Sequence, residues 1–240
     1  MASERSVPVF VALDVANAKQ AQDVVASLGS AATHYKVGLE LFLAAGNRLV
    51  SELVDHGKHV FLDLKFHDIP NTVRAAVREA CKLGVDFVTV HAQGGQSMLE
   101  AAQESAYAAS AGSGHQTKLL AVTMLTSLAP ADLYAIGQKS ADPQAVVLQL
   151  ATLAQTAGLH GVVCSPQEVR MIRDNTNLAA MVPGIRLKQS VADDQTRIAT
   201  PTDAVRAGAS YLVVGRPVLQ ASDPLQALLA IQAEISNVNM

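Results

Sequence analysis

Within residues 59–72, His-Val-Phe-Leu-Asp-Leu-Lys-Phe-His-Asp-Ile-Pro-Asn-Thr, an apolar run leads into an acid, an ammonium and a second acid. The run reads as a buried strand, and Asp63 and Lys65 stand where a core strand ordinarily carries no charge. Side chains alternate across a strand. Regular pleating therefore sets Phe61, Asp63 and Lys65 on one side, and Val60, Leu62 and Leu64 on the other. A poorly paired buried ion costs several kcal/mol, and opposite charges at i and i+2 offset part of that. Asp68 adds a third charge in the loop before Pro70, a residue suited to the first turn of a helix. Two readings follow. One is a structural ion pair that caps a strand. The other is a catalytic carboxylate–ammonium array at a strand's carboxyl end, where the ammonium stabilises negative charge as it develops on a bound molecule.

Further polar residues stand at or near the ends of other apolar runs: Asp14, Lys36, His91, Thr126 with Ser127, and Arg186. Two glycine turns, Pro183-Gly184-Ile185-Arg186 and Val214-Gly215-Arg216-Pro217, add a second signal. Glycine lets backbone N–H groups approach an anion closely, and Arg216 can engage two phosphate oxygens at once. Together the turns point to phosphate binding, against the plainer reading of a tight turn with a surface arginine. Residues 185–200 form a polar loop with Gln189, Asp193, Asp194 and Gln195, longer than the roughly 2–6 residues usual for a βα connection. It suits a lid closing over ligand, or else a surface insertion. The seven histidines show no HExxH or HxH spacing and no partnering carboxylate cluster, so no metal site is expected. His91 reads as a hydrogen-bonded structural histidine before a site residue, and His67 as a local packing or capping group. Cys81 and Cys164 read as small buried residues in a reducing compartment, and Cys164 lacks the histidine partner of a nucleophile.

Strands must carry these residues. Apolar runs at 7–14, 34–38, 59–65 (opening the 59–72 stretch), 86–91, 118–124, 161–164, 179–184 and 211–215 read as strands. Helical patterns alternate with them at 17–28, 39–56, 71–83, 96–110, near 129 and over 143–157, from a capping box at 165–168, at 202–207 and at 224–234. Strict alternation with unbroken apolar strands implies a parallel sheet covered by helices. Eight such units in 240 residues fit an α/β fold closed as a (β/α)8 TIM barrel better than an open doubly wound sheet. No glycine-rich dinucleotide turn of the required spacing follows a strand. The expectation is one barrel domain over residues 1–240, with 1–6 a short polar tail. Barrel active sites lie at the carboxyl ends of the strands, so closure would gather the polar residues above at one rim.

Composition narrows the function classes. Half of the chain is hydrophobic, only 4% is aromatic and there is no tryptophan, which implies an aliphatic, alanine-rich core. A net charge of −3 without a Lys/Arg run argues against a nucleic-acid or membrane surface, so an anionic ligand must be held by local positive groups. With no secretory leader pattern and no apolar run of membrane-spanning length, a soluble cytoplasmic protein is expected.

The chain resembles the orotidine 5′-phosphate decarboxylase family over nearly its whole length. Asp63-Leu64-Lys65-Phe66-His67-Asp68-Ile69-Pro70-Asn71-Thr72 carries the resemblance and is highly specific. Val11-Ala12-Leu13-Asp14, Lys36-Val37-Gly38, Leu125-Thr126-Ser127 and the two glycine turns support it, although Gly-Arg-Pro alone would be weak. The resemblance implies a lyase that converts orotidine 5′-monophosphate to uridine 5′-monophosphate and carbon dioxide, the last step of de novo UMP biosynthesis, without metal or cofactor. It implies Lys65 as proton donor to C6, Asp63 beside the substrate carboxylate, and Lys36 with Asp14 holding ribose hydroxyls and balancing charge. It implies a homodimer in which Asp68 and Thr72 reach into the neighbouring subunit's site. Thr126 and Ser127 would contact the pyrimidine, and Gln195 would span base and phosphate from the lid. Gly215 and Arg216 would grip the phosphate, with Pro183 and Arg186 as further binding positions. Loss of carbon dioxide from C6 leaves a carbanion with little resonance relief, and an adjacent ammonium answers that need.

Two rivals stay open. A magnesium-dependent sugar-phosphate enzyme of the same barrel superfamily, hexulose-phosphate synthase-like, resembles the chain in its Asp-x-Lys-x-x-Asp spacing and phosphate site. The continuation Ile69-Pro70-Asn71-Thr72 favours the decarboxylase. A non-catalytic nucleotide-binding barrel is the rival of another class, and the intact Lys65 with both acids speaks against it.

Overall fold

Short runs of Val, Phe, Leu and Ala become strands here because both of their faces are covered, one by the barrel interior and one by helices. The computed structural model describes residues 7–111, 114–128, 130–138, 142–186 and 199–238. Its strands are β1 (Val9–Ala12), β2 (His34–Gly38), β3 (His59–Phe66), β4 (Phe87–His91), β5 (Lys118–Val122), β6 (Gly161–Val163), β7 (Ala179–Val182) and β8 (Tyr211–Val214). Each pairs in parallel with its successor, and β8 pairs with β1, which closes the barrel in sequence order. The expected TIM barrel is what the chain builds. The tail at 1–6 lies outside the described residues.

Side-chain chemistry starts several of the connecting helices. Asn17 accepts the Gln20 amide proton at 3.0 Å ahead of Ala18–Leu28, and Asp142 accepts that of Gln144 at 3.0 Å ahead of Pro143–Thr156. Both satisfy an amide that the first turn leaves without an intrahelical partner. Pro70 opens Pro70–Cys81, where its missing N–H removes no hydrogen bond.

Two helices depart from expectation. Leu39–Asp55 is kinked at Gly46, which takes φ 67° and ψ −167°, a region essentially reserved for glycine. The capping box expected at 165–168 forms a turn, and the helix is Val169–Asn175. Glu168 does accept the Ser165 amide proton at 2.8 Å, which is half of the box. The Glu168 N–H that the Ser165 hydroxyl would have capped donates to the Ser165 carbonyl at 3.1 Å. The hydroxyl is left buried without a partner.

The core has two layers of different composition. Outward strand residues such as Val11, Val37, Leu62 and Val88 pack with Leu28, Leu41, Val73 and Val77 of the helices in the expected aliphatic layer. Inside the barrel Phe10, Phe61 and Phe87 join Leu120, Met181 and Val213. Their rings meet one another and Tyr211 edge to face, with centroids 4.9 Å apart for Phe87–Tyr211 and 5.8 Å for Phe10–Phe87. Four of the nine aromatics, Phe10, Phe61, Phe87 and Tyr211, thus meet in the lumen, where Phe61 also lines the cleft above. A filled lumen is what makes such a barrel a platform for a site at one end.

Candidate active site

The regular pleat breaks in β3 where the charges stand. Leu62 pairs with Val88 and Phe66 with Val90, so positions 62 to 66 of β3 face only 88 to 90 of β4. This is a bulge, the device that re-aims side chains beside active sites. Lys65 absorbs it with φ 50°, the only non-glycine positive φ among the described residues, at a cost of about 1–2 kcal/mol. Lys65 therefore reaches the site through a left-handed turn of the chain and not, as expected, by simple alternation. The destination is the expected one, since Phe61, Asp63 and Lys65 line one cleft.

An alternating charge array follows. Lys65 Nζ donates to Asp63 Oδ2 at 2.8 Å. Lys36 Nζ stands 3.9 Å from the same oxygen and 2.9 Å from Asp14 Oδ1. The Lys36 and Asp63 side chains are 12% and 13% exposed against 58% for Asp14, so the inner ions depend most on having partners. Gly38, in register with Asp63, gives the array room. A Cβ there would stand 3.0 Å from Lys36 Nζ, and a larger residue would displace the ammonium.

Thr89, fully buried on β4, is tied into the array without having been singled out by the sequence. Its Oγ1 accepts the Lys65 amide proton at 2.8 Å and donates to Asp63 Oδ1 at 3.0 Å. The available signal was the alternation of Phe87, Thr89 and His91 along β4, which turns Thr89 to the lumen side with Phe87.

A cleft of about 240 Å³ at the carboxyl ends of the strands brings together Asp14, Lys36, Asp63, Lys65, Thr126, Pro183, Arg186, Gly215 and Arg216. The ammonium of β3 and the glycine–arginine turn after β8 therefore open on one space, which a single ligand can bridge. Gly215 caps and Arg216 begins the short helix Arg216–Leu219. Arg186 is buried, and its Nη1 donates to the Ile185 carbonyl at 2.9 Å. The loop after β7 has its stems joined at the rim by the Ile185–Ala199 bridge. Gln195, with Gln189, Asp193 and Asp194, lies outside the described residues.

Three expected site residues do not line the cleft of their own chain. Ser127 is exposed beside it. Asp68 and Thr72 are exposed at the start of Pro70–Cys81, where Asp68 Oδ1 accepts the Ile69 amide proton at 2.6 Å. Ile69 itself is 66% exposed.

The neighbouring titratable groups act as structure. His91 stacks on His67 with centroids 5.2 Å apart. Burial first, then the charges of His67 and Lys65, pull it down to about 4. Cys164 lines the cleft, but burial, with Glu168 adding to it, pushes its thiol well above the ordinary range, the reverse of an activated nucleophile. Among the described residues no three His, Cys, Asp or Glu side chains group as a metal site.

Residues 8–231, from just before β1 into the last helix, match one protein family. The chain belongs to the orotidine 5′-phosphate decarboxylase / HUMPS family. Within it, the orotidine 5′-phosphate decarboxylase of Chromobacterium violaceum is 49% identical over 98% of this chain and 94% of its own. That of Laribacter hongkongensis is 47% identical over 95% and 93%. The crystal structure of orotidine 5′-phosphate decarboxylase from Lactobacillus acidophilus superposes with a TM-score of 0.84 at 41% identity, covering 95% of this chain and 98% of that one. The resemblance carried by residues 63–72 is borne out, as is the barrel it implied. The family label spans two branches, and these relatives are named for the decarboxylase.

Proposed function

We propose that the chain catalyses the reaction its relatives are named for, decarboxylating orotidine 5′-monophosphate to uridine 5′-monophosphate in pyrimidine biosynthesis, with Lys65 as proton donor and without metal or cofactor. The observation that carries this reading is the Lys65 Nζ–Asp63 Oδ2 pair at 2.8 Å, opening on the cleft that Arg216 also lines. The phosphate docks on Gly215 and Arg216, beside Pro183 and Arg186 of the adjoining turn. Ribose hydroxyls meet Asp14 and Lys36, Thr126 contacts the pyrimidine, and Asp63 stands against the substrate carboxylate. As the C6–carboxylate bond breaks, its electron pair stays on C6. The Lys65 ammonium stabilises that charge and then delivers its proton there. Phosphate binding far from C6 serves the chemical step by aligning the base, with Gln195 as a further contact to base and phosphate.

The enzyme works as a cytoplasmic homodimer and binds no nucleic acid. Asp68 and Thr72 enter the partner's cleft, a reading supported by their exposure next to the exposed Ile69. No helix among the described residues is long and apolar enough to cross a membrane. The test is to incubate purified protein with orotidine 5′-monophosphate, with and without chelator, and to follow ultraviolet absorbance. The expected result is conversion at the same rate in both. Unchanged substrate would refute the activity, and turnover lost on chelation would refute metal independence.

A further inference from the structure

We propose that Thr89 is the positioning residue that sets Lys65 and Asp63 for proton delivery, an inference that rests on Lys65 being the proton donor. The bulge in β3 places Lys65 opposite the segment 88–90 of β4, whose central residue is Thr89. Lys65 N–H donates to Thr89 Oγ1 at 2.8 Å. A backbone N–H can only donate, so the hydroxyl accepts there, and its single proton is left for Asp63 Oδ1, 3.0 Å away. The direction of both bonds is thereby forced.

One hydroxyl thus holds two parts of the site. It anchors the backbone of Lys65 at φ 50°, a conformation a lysine does not keep without support. It also fixes the rotation of the Asp63 carboxylate, whose second oxygen then faces Lys65 Nζ at 2.8 Å and Lys36 Nζ at 3.9 Å. Thr89 is fully buried and does not line the cleft. It acts through Lys65 and Asp63, not on the ligand. Valine has nearly the same shape, but it would leave the Lys65 amide without its acceptor and release the carboxylate to rotate. Misplacement of a reacting group by an ångström costs on the order of 10²-fold in rate.

The experiment measures steady-state decarboxylation by wild type, Thr89→Val and Thr89→Ser, with UMP as competitive inhibitor and thermal melting as the check on folding. The expected result is a kcat for Thr89→Val lowered roughly ten- to hundredfold, with UMP inhibition changed by less than about threefold. Thr89→Ser, which keeps the hydroxyl, recovers most of the lost rate. A Thr89→Val kcat within about twofold of wild type, a Thr89→Ser as slow as the valine variant, or UMP binding weakened as much as kcat would each overturn the proposal. If the valine variant does not fold, Thr89→Ala against Thr89→Ser is read in the same way. A wild-type enzyme that leaves orotidine 5′-monophosphate unchanged would instead remove the functional reading, so the two failures are distinguishable.

Discussion

Arg216, just after β8, and Lys65, on β3, line one cleft, and their proposed tasks separate by what each substitution should change. In the proposed reaction Arg216 binds a group that does not react. Truncating one partner of a charged hydrogen bond costs about 1.5–3 kcal/mol, so Arg216→Ala should raise the Michaelis constant roughly ten- to hundredfold. An unchanged constant in steady-state assays would remove the phosphate assignment. Lys65, as the proposed proton donor, would act on the reacting carbon, where a positioned acid contributes on the order of 10²–10⁴-fold. Lys65→Ala should therefore lose at least that much turnover while calorimetry still detects UMP binding; turnover like that of wild type would refute the proton donor. Both residues were legible in the sequence because a charge inside or beside an apolar run stands out, even where a structural ion pair or a surface turn is the plainer reading. Thr89 was not legible, since a β-branched residue in a strand is what strand propensity favours anyway. Only the bulge gives its hydroxyl two partners.

At the scale of elements, strand and helix positions followed from periodicity, and the irregularities did not. The bulge in β3 escapes a pattern argument because regular alternation and the left-handed Lys65 bring the same side chains to the same cleft. Gly46 is similar. The apolar periodicity of 39–55 runs on past it, so a straight helix was the natural expectation, and only the backbone angles reveal the break. A Cβ at Gly46 would meet nothing within 4 Å, which isolates the backbone contribution. Gly46→Ala should lower stability by about 1–3 kcal/mol, the scale of forcing a residue with a side chain into that region, with kcat unchanged. Urea unfolding checks this. An unaltered midpoint would mean that the helix straightens without penalty.

At the scale of the whole molecule, the barrel was legible because eight apolar runs alternating with helical stretches leave few other closures. Charge state in the fold and assembly were not, since both depend on what surrounds a side chain. His34, stacked on His59 with centroids 4.4 Å apart, is lowered to about 4 by burial and by the charge of His59, against an opposing pull from Asp86. His91 is lowered to about 4 as well, burial again leading. The unfolded chain takes up these protons near 6.5 and the folded chain only near 4. Between those values the unfolded state binds more protons, so stability should fall as pH drops from 6.5 toward 4. Urea midpoints across that window test this, and His34→Phe should flatten the drop. Assembly is decided by a mixing experiment. Asp68 does not line its own chain's cleft. In a two-fold dimer that exchanges Asp68, a hybrid of Lys65→Ala and Asp68→Ala subunits has one site with both defects and one with neither. Random reassortment makes about half of the dimers hybrid, so mixing two nearly inactive proteins should restore roughly a quarter of wild-type activity. If Asp68 instead served the cleft of its own chain, every site in the mixture would carry one defect, and no activity would return.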